Sequence, residues 1–193
     1  KDDPVLKHSQ CGLDFFDLGT NFLYCYPSAR KTAEDALEAV NHFAGAQPGK
    51  ILKSLRTDNA KELISACRKA GVVNPRGTPY RSTSNSVIER RHRQILEGTR
   101  TSLFQSGLPM KYWPEAAQHW CHVYNVSDQG DLNTSPWWKR FKALFVGKLI
   151  PFGALVYFKP HSKYKLEKLG PKCIPGFFLG YKFSPDTFGS ANK

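Results

Sequence analysis

The feature that most constrains this chain is a carboxylate held between the end of one predicted element and the start of the next. Ile51-Leu52-Lys53-Ser54-Leu55-Arg56 is a β-forming run that leads into Thr57-Asp58-Asn59, and it predicts a strand. Asn59, with Glu62 three residues on, forms a capping-box pattern. Leu63, Ile64, Cys67 and Ala70 then make one helical face that stops at Gly71. Asp58 therefore sits at the carboxyl end of a strand and directly before a helix, where open α/β sheets place their sites. Taken alone, an Asp-Asn pair at that point reads better as an ordinary turn.

The flanking segments build the same architecture. Thr20-Asn21-Phe22-Leu23-Tyr24-Cys25-Tyr26, closed by Pro27, predicts a strand. Residues 32–44 carry Ala33, Ala36, Leu37, Val40 and Phe43 at helical spacing behind Thr32, a good N-cap. Strand, helix and strand in this order predict a crossover unit within a sheet. Residues 74–84 hold two Pro, a Gly and several Ser and Thr, and read as a loop. A long helix follows over residues 87–106, with Ile88, Ile95, Leu96 and Leu103 inward and Arg90, Arg91, Arg93 and Arg100 outward, ended by Gly107 and Pro109. Another is predicted over residues 114–124, with Ala117, Trp120, Cys121 and Tyr124 as its core face. Beyond a boundary near residues 138–150, residues 154–158 and 176–181 are short strands separated by Gly, Pro and Lys. A β unit of under about 60 residues is marginal alone and is expected to lean on the preceding core.

Several words in a fixed order now carry a resemblance. Thr57-Asp58-Asn59, Thr78-Pro79-Tyr80 and Ser84-Asn85-Ser86-Val87-Ile88-Glu89-Arg90 resemble the S/T-D-N, TPY and Q-N-G-V-A-E-R motifs of copia-type retrotransposon integrases. Gly107-Leu108-Pro109 with Tyr112-Trp113-Pro114-Glu115-Ala116 is similar to a further segment of the same family. Pro151-Phe152-Gly153, Lys165-Leu166 and Gly176-Phe177-Phe178-Leu179-Gly180-Tyr181 resemble its downstream β domain. The resemblance implies an α/β ribonuclease-H-like core, lacking its first strand, in residues 1–138, and a small all-β SH3-like barrel in residues 139–193. It also implies that Asp58 and Glu89 are two of three metal-binding carboxylates. The chain departs from the family at Ser86, where the family has Gly, and at Ser82-Thr83, where it has Pro-Gln.

Charge points to a polyanion. Lys and Arg outnumber Asp and Glu by 28 to 16, a net charge of +12, but residues 1–49 hold four basic against seven acidic residues. Residues 50–100 hold twelve against four, and residues 139–182 ten against one. Basic residues concentrated in two segments predict phosphate contacts, because each one set on DNA releases condensed counterions. The candidate DNA-binding residues are Arg76, Arg81, Asn85, Arg90, Arg91 and Arg93, with Tyr80 beside them, and Lys163, Lys165 and Lys168 in the downstream segment, with Lys159 and Lys172 nearby. No apolar run approaches the roughly 18 to 20 residues of a membrane helix, so the expectation is an intracellular chain, nuclear in a eukaryotic host. The chain starts at Lys1 without Met and reads as a piece of a longer polyprotein. Five scattered cysteines with no CxxC pair predict reduced thiols, and His119, Cys121 and His122 have offsets that do not converge on a metal.

The chemistry implied is phosphoryl transfer, in which a carboxylate cluster holds two Mg²⁺ or Mn²⁺ ions. Asp58 and Glu89 supply two of the carboxylates. In the family fold the third lies on the first strand. Asp14 and Asp17 match the second strand and its turn, which leaves only Asp2 and Asp3, with Pro4 a poor neighbour for a central strand, so the third role stays unassigned. Three readings remain: an integrase fragment that joins element DNA to target DNA, with the possibility of a homo-oligomer; a decayed copy that only binds nucleic acid; and a nuclease on the same fold.

Overall fold

The structure is a computed structural model that describes residues 9–45, 48–58, 60–75, 86–127, 135–161, 163–164 and 167–182. β1 (Cys11–Phe16) and β2 (Leu23–Ser28) pair antiparallel, with Asp14 opposite Cys25 and Phe16 opposite Leu23. Asp17 makes the connecting turn: its carboxylate accepts from Gly19 N at 2.9 Å and Thr20 Oγ1 at 2.6 Å, and its carbonyl accepts from Asn21 N at 2.8 Å. The strand predicted over residues 20–26 starts later and runs through Pro27, which a strand at a sheet edge tolerates.

The helices cover both faces of this pair. α1 (Ala33–Ala44) begins as the sequence predicts, with Thr32 Oγ1 accepting from Asp35 N at 3.1 Å. Its Phe43 stacks on Phe15 at 5.0 Å, on one face of the sheet. α2 (Pro48–Ile51) is a single turn, and α3 (Lys61–Lys69) packs beside α1, tied to it by an exposed Lys69–Glu34 ion pair of 2.8 Å. On the opposite face lie α4 (Ser86–Ser106) and α5 (Trp113–Val126), joined by a 3₁₀ turn at Met110–Tyr112. α3 and α4 each run into a glycine at φ +67°, Gly71 and Gly107, a conformation only glycine adopts without cost.

The core lies between β2, α1 and α5. Phe15, Phe22, Leu23, Tyr24, Val40, Phe43, Ala117 and Cys121 are all buried in it. α6 (Pro136–Phe141), capped by Ser135 Oγ on Trp138 N at 3.2 Å, adds Phe141 and lays the Arg140 guanidinium over Phe43 at 4.3 Å and Phe22 at 4.6 Å. That arginine also donates to the Phe43 carbonyl and approaches Asp17 at 3.9 Å. It is a cation consumed by packing, not one free for a polyanion.

Two expectations are corrected, and a third falls on a residue outside the described ones. Residues 51–56 form no strand: α2 ends at Ile51 and residues 52–58 run on without a ladder, linked to a neighbour only by Leu55 N donating to Val73 O at 2.9 Å among the described backbone bonds. A strand in mid-sheet needs a partner on each side, and β1 offers its free edge with no third strand against it among the described residues. The N-cap of α3 is Ala60, which makes no side-chain hydrogen bond, while Asn59, on which the capping-box expectation falls, lies outside the described residues. Leu96, expected inward, is 41% exposed, since α4 meets the sheet and α5 along a stripe of Ile95, Thr99 and Leu103.

Downstream, β3 (Leu155–Phe158) and β4 (Ile174–Phe177) pair antiparallel, the second strand falling earlier than residues 176–181. Among the described residues these two strands do not close into a barrel. The segment does lean on the core, since Phe152 and Leu179 pack against Leu103 and Ala116. His119 Nε2 meets Ile150 O at 2.9 Å, and Tyr181 OH donates to Lys148 O at 2.5 Å and accepts from Ile150 N at 2.9 Å.

Candidate active site

Asp58 is exposed and stands where the chain turns from residues 52–57 into α3, its Oδ1 accepting from Ala60 N at 3.4 Å. It opens onto a cleft of about 350 Å³ whose walls are Cys11 to Leu13 of β1, Tyr26 to Ser28, the start of α1, and Glu62 and Leu63 of α3. The cleft lies between β1 and the unladdered residues 52–58, on the side of the sheet that α1 covers.

Glu89 occupies the first turn of α4 and is exposed. α4 reaches the sheet on the other side, where His92 Nδ1 meets Asp14 Oδ2 at 2.5 Å and the Arg91 guanidinium lies 4.5 Å over Phe16. α4 and α1 thus approach β1 from opposite faces. No hydrogen bond or ion pair joins Asp58 to Glu89 among the described residues, nor does any group of three His, Cys, Asp or Glu there form a metal cage. Two exposed carboxylates that belong to no such group among the described residues do not by themselves fit a pair of hard cations, which require shared oxygen ligands.

Two acidic residues of β1 and its turn make other contacts. Asp14, with only 8% of its side chain exposed, faces His92 and the Cys25 thiol. Burial, with Asp14 next in order, pushes that thiol well above its usual range. Asp17 is spent on its turn. Both lie on β1, the first described strand, and its turn.

The basic candidates divide. Arg90 and Arg93 are exposed on α4. Arg91, expected outward, is not: it lies on Phe16 and Tyr124 and donates to Gln94 Oε1 at 2.8 Å. Lys163 and Lys168 are exposed, whereas Arg76, Tyr80, Arg81, Asn85 and Lys165 lie outside the described residues.

Sequence reasoning missed three buried polar groups on α5. Asn125, 1% exposed, donates from Nδ2 to Leu23 O at 2.7 Å and accepts from Leu23 N at 2.9 Å. His119 and His122 sit among Phe152, Phe178, Phe145, Trp137 and Tyr181, with His122 only 4.4 Å from the Tyr181 ring. Burial, and secondarily His119, takes His122 down to about 4. Burial also lowers His119, against the opposing bond to Ile150 O. Their spacing three apart on a helix was the available signal.

No family model matches the chain. It is 30% identical over 180 residues to the Retrovirus-related Pol polyprotein from transposon TNT 1-94 of Nicotiana tabacum, an alignment covering 86% of this chain and 13% of that polyprotein. It is 25% identical to the Pol polyprotein from transposon RE1 of Arabidopsis thaliana, over 96% of this chain and 13% of that one. It is likewise 25% identical to the Transposon Ty1-LR3 Gag-Pol polyprotein of Saccharomyces cerevisiae, over 86% of this chain and 10% of that one. The chain thus spans about an eighth or less of the length of these relatives. Among solved structures, the catalytic core domain of BIV integrase matches with a TM-score of 0.50 at 17% identity, over 68% of this chain and 86% of that one. A chain of the simian T-cell lymphotropic virus intasome, solved in complex with PP2A regulatory subunit B56 gamma, matches with a TM-score of 0.52 at 16% identity, over 83% of this chain and 58% of that one. The chain is a homologue of the Pol polyproteins of copia-type transposons, and its fold is that of an integrase catalytic core.

Proposed function

We propose that this chain is a DNA-binding integrase fragment of a copia-like element whose ancestral reaction joins element 3′ ends to target DNA, and that the chain as it stands does not catalyse that joining. The reading rests on the integrase-core fold combined with Pol relatives that cover most of the chain. Asp58 and Glu89 are the residues that would hold Mg²⁺ or Mn²⁺, and each is exposed, with no ion partner among the described residues. Among the described residues no group of three His, Cys, Asp or Glu could hold a metal, and the cleft beside the edge of β1, lined also by Asp35, Glu38 and Glu62, is where a further strand would bring another carboxylate next to Asp58.

In this reading the integrase part is residues 1–138 and the small β part residues 139–193, with DNA held by Arg90 and Arg93 on α4 and by Lys163 and Lys168 downstream. A homo-oligomer and, in a eukaryotic host, a nuclear location belong to the same reading. The alternative of a decayed copy that binds nucleic acid without chemistry is favoured by one observation, that Asp14 and Asp17 are both consumed by structural contacts. The test is joining of a labelled element-end oligonucleotide to plasmid DNA in Mn²⁺, for this chain and for one extended upstream to include a complete first strand. Joining by the extended chain alone, abolished by Asp58→Asn, is the expected result. Losing one well-placed charge contact in such a site costs about 10²- to 10³-fold in rate. Cleavage without joining would mark a nuclease, and robust joining by the unextended chain would refute the proposal.

A further inference from the structure

The first turns of α4 have little to hold them. Ile95 is the first fully buried residue of the helix, and of the apolar residues before it Val87 is exposed and Ile88 half-buried. Described contacts join them to β1 and α5. One is the Asp14–His92 pair at 2.5 Å, and another is the Arg91 guanidinium, 4.5 Å over Phe16 and 5.9 Å from Tyr124. Asp14 is an unusual residue for a helix-covered sheet face, beside the buried thiols of Cys25 and Cys121. A buried carboxylate is costly unless it is partnered, and the partner it faces is an imidazole that remains 56% exposed on the helix. Asp14 thus spans the boundary between the core and the outward side of α4.

We propose that Asp14 and His92 are positioning residues that fasten the start of α4 to β1 and so set the outward row of Glu89, Arg90 and Arg93. Glu89 lies three residues before His92 and Arg93 directly after it, so a fixed His92 fixes the direction of both. Arg91 is the second half of the fastener, which explains why one arginine of a basic run is turned inward onto an aromatic ring. The row that remains outside is then presented already ordered. A charged side chain that is ordered before binding loses less conformational freedom when it meets a phosphate. This assignment rests on the DNA-binding reading above for its consequence, but not for the fastening itself.

Hydrogen exchange on the whole chain, read by peptide, separates the two. His92→Ala should speed exchange of residues 86–94 at least about tenfold while residues 95–106 keep their protection. The same variant should weaken binding of a duplex oligonucleotide by about 3- to 10-fold. His92→Gln keeps a side-chain donor toward Asp14 and should restore most of the protection, and Asp14→Asn, which keeps the shape of the buried side chain, should show an intermediate loss. Unchanged exchange over residues 86–94 in His92→Ala would overturn the proposal, as would acceleration spread evenly along all of α4. Arg90→Ala with Arg93→Ala is the control for the DNA reading. If that double variant binds DNA like the parent, it is the DNA-binding role of α4 that fails, while the exchange result still decides the fastening.

Discussion

The two sides of the β1–β2 sheet differ in how completely they are finished. Around β2, α1, α5 and α6 every layer is closed: Leu23 and Phe22 are at most 1% exposed, Asn125 satisfies both backbone groups of Leu23, and Arg140 seals the aromatic cluster. Along the outer edge of β1, by contrast, residues 52–58 run beside a cleft without a ladder, and Asp58 is exposed at its rim. The closed side holds the energy of the fold, and the open side holds the candidate chemistry. Stability and site can therefore be broken separately.

The largest effect is expected on the closed side. Asn125→Ala leaves the buried N–H and C=O of Leu23 without their partner, and should cost about 3 kcal/mol in urea unfolding. A loss under about 1 kcal/mol would mean that the bridge is not needed to hold α5 on β2.

Acid should act next, where α5 meets the downstream segment. His122 lies at about 4 in the folded chain, below its free value near 6.5, so the folded state binds fewer protons there than the unfolded state. Its contribution is intact above the free value and is lost as pH falls from there toward 4. His119 is lowered in the same direction. Between pH 7.5 and 5.5 stability should drop by about 1 kcal/mol through His122 alone, and His122→Phe should remove that part of the pH dependence. An unchanged pH profile in the variant would show that the imidazole is not buried as described.

Salt should expose a weaker effect on the downstream segment. Each lysine contact with duplex DNA adds about −0.9 to the slope of log K against log salt, so changing Lys163, Lys165 and Lys168 to Ala together should flatten the slope. An unchanged slope would leave these lysines as solvated surface. The smallest effect is expected at the open edge, where Asp58→Asn should change stability by no more than about 0.5 kcal/mol. A larger loss would place Asp58 in the structural side of the comparison.

Elements with local signals were legible in the sequence, and those that depend on a distant partner were not. Thr32, Gly71 and Gly107 mark helix ends through their own backbone and side-chain chemistry, and each is found where its residue type predicts. The apolar spacing of Ile95 and Leu103 likewise yields α4. Residues 51–56 have the composition of a strand, yet a strand is completed by its neighbours, and β1 has only β2 against it among the described residues. Asn125 looks like a surface residue until Leu23, 102 positions earlier, is set beside it. The same holds for the site. Asp58 and Glu89 were legible as motif residues, but Arg91 was misassigned because nothing local reveals that Phe16 lies beneath it. Asp14 gained its role only when α4 brought His92 over β1.

The central claim is that Asp58 gains its companion carboxylate only when a further strand is added at the edge of β1, which has no third strand against it among the described residues. Mn²⁺ affinity, followed by the loss of the free-ion spectroscopic signal, tests it most directly in this chain and in one extended upstream by a complete first strand, each with and without Asp58→Asn. The account predicts weak binding by the unextended chain, with little change on Asp58→Asn, and at least about tenfold tighter binding by the extended chain that Asp58→Asn abolishes. Equal and tight Mn²⁺ binding by both chains, lost in both on Asp58→Asn, would contradict it.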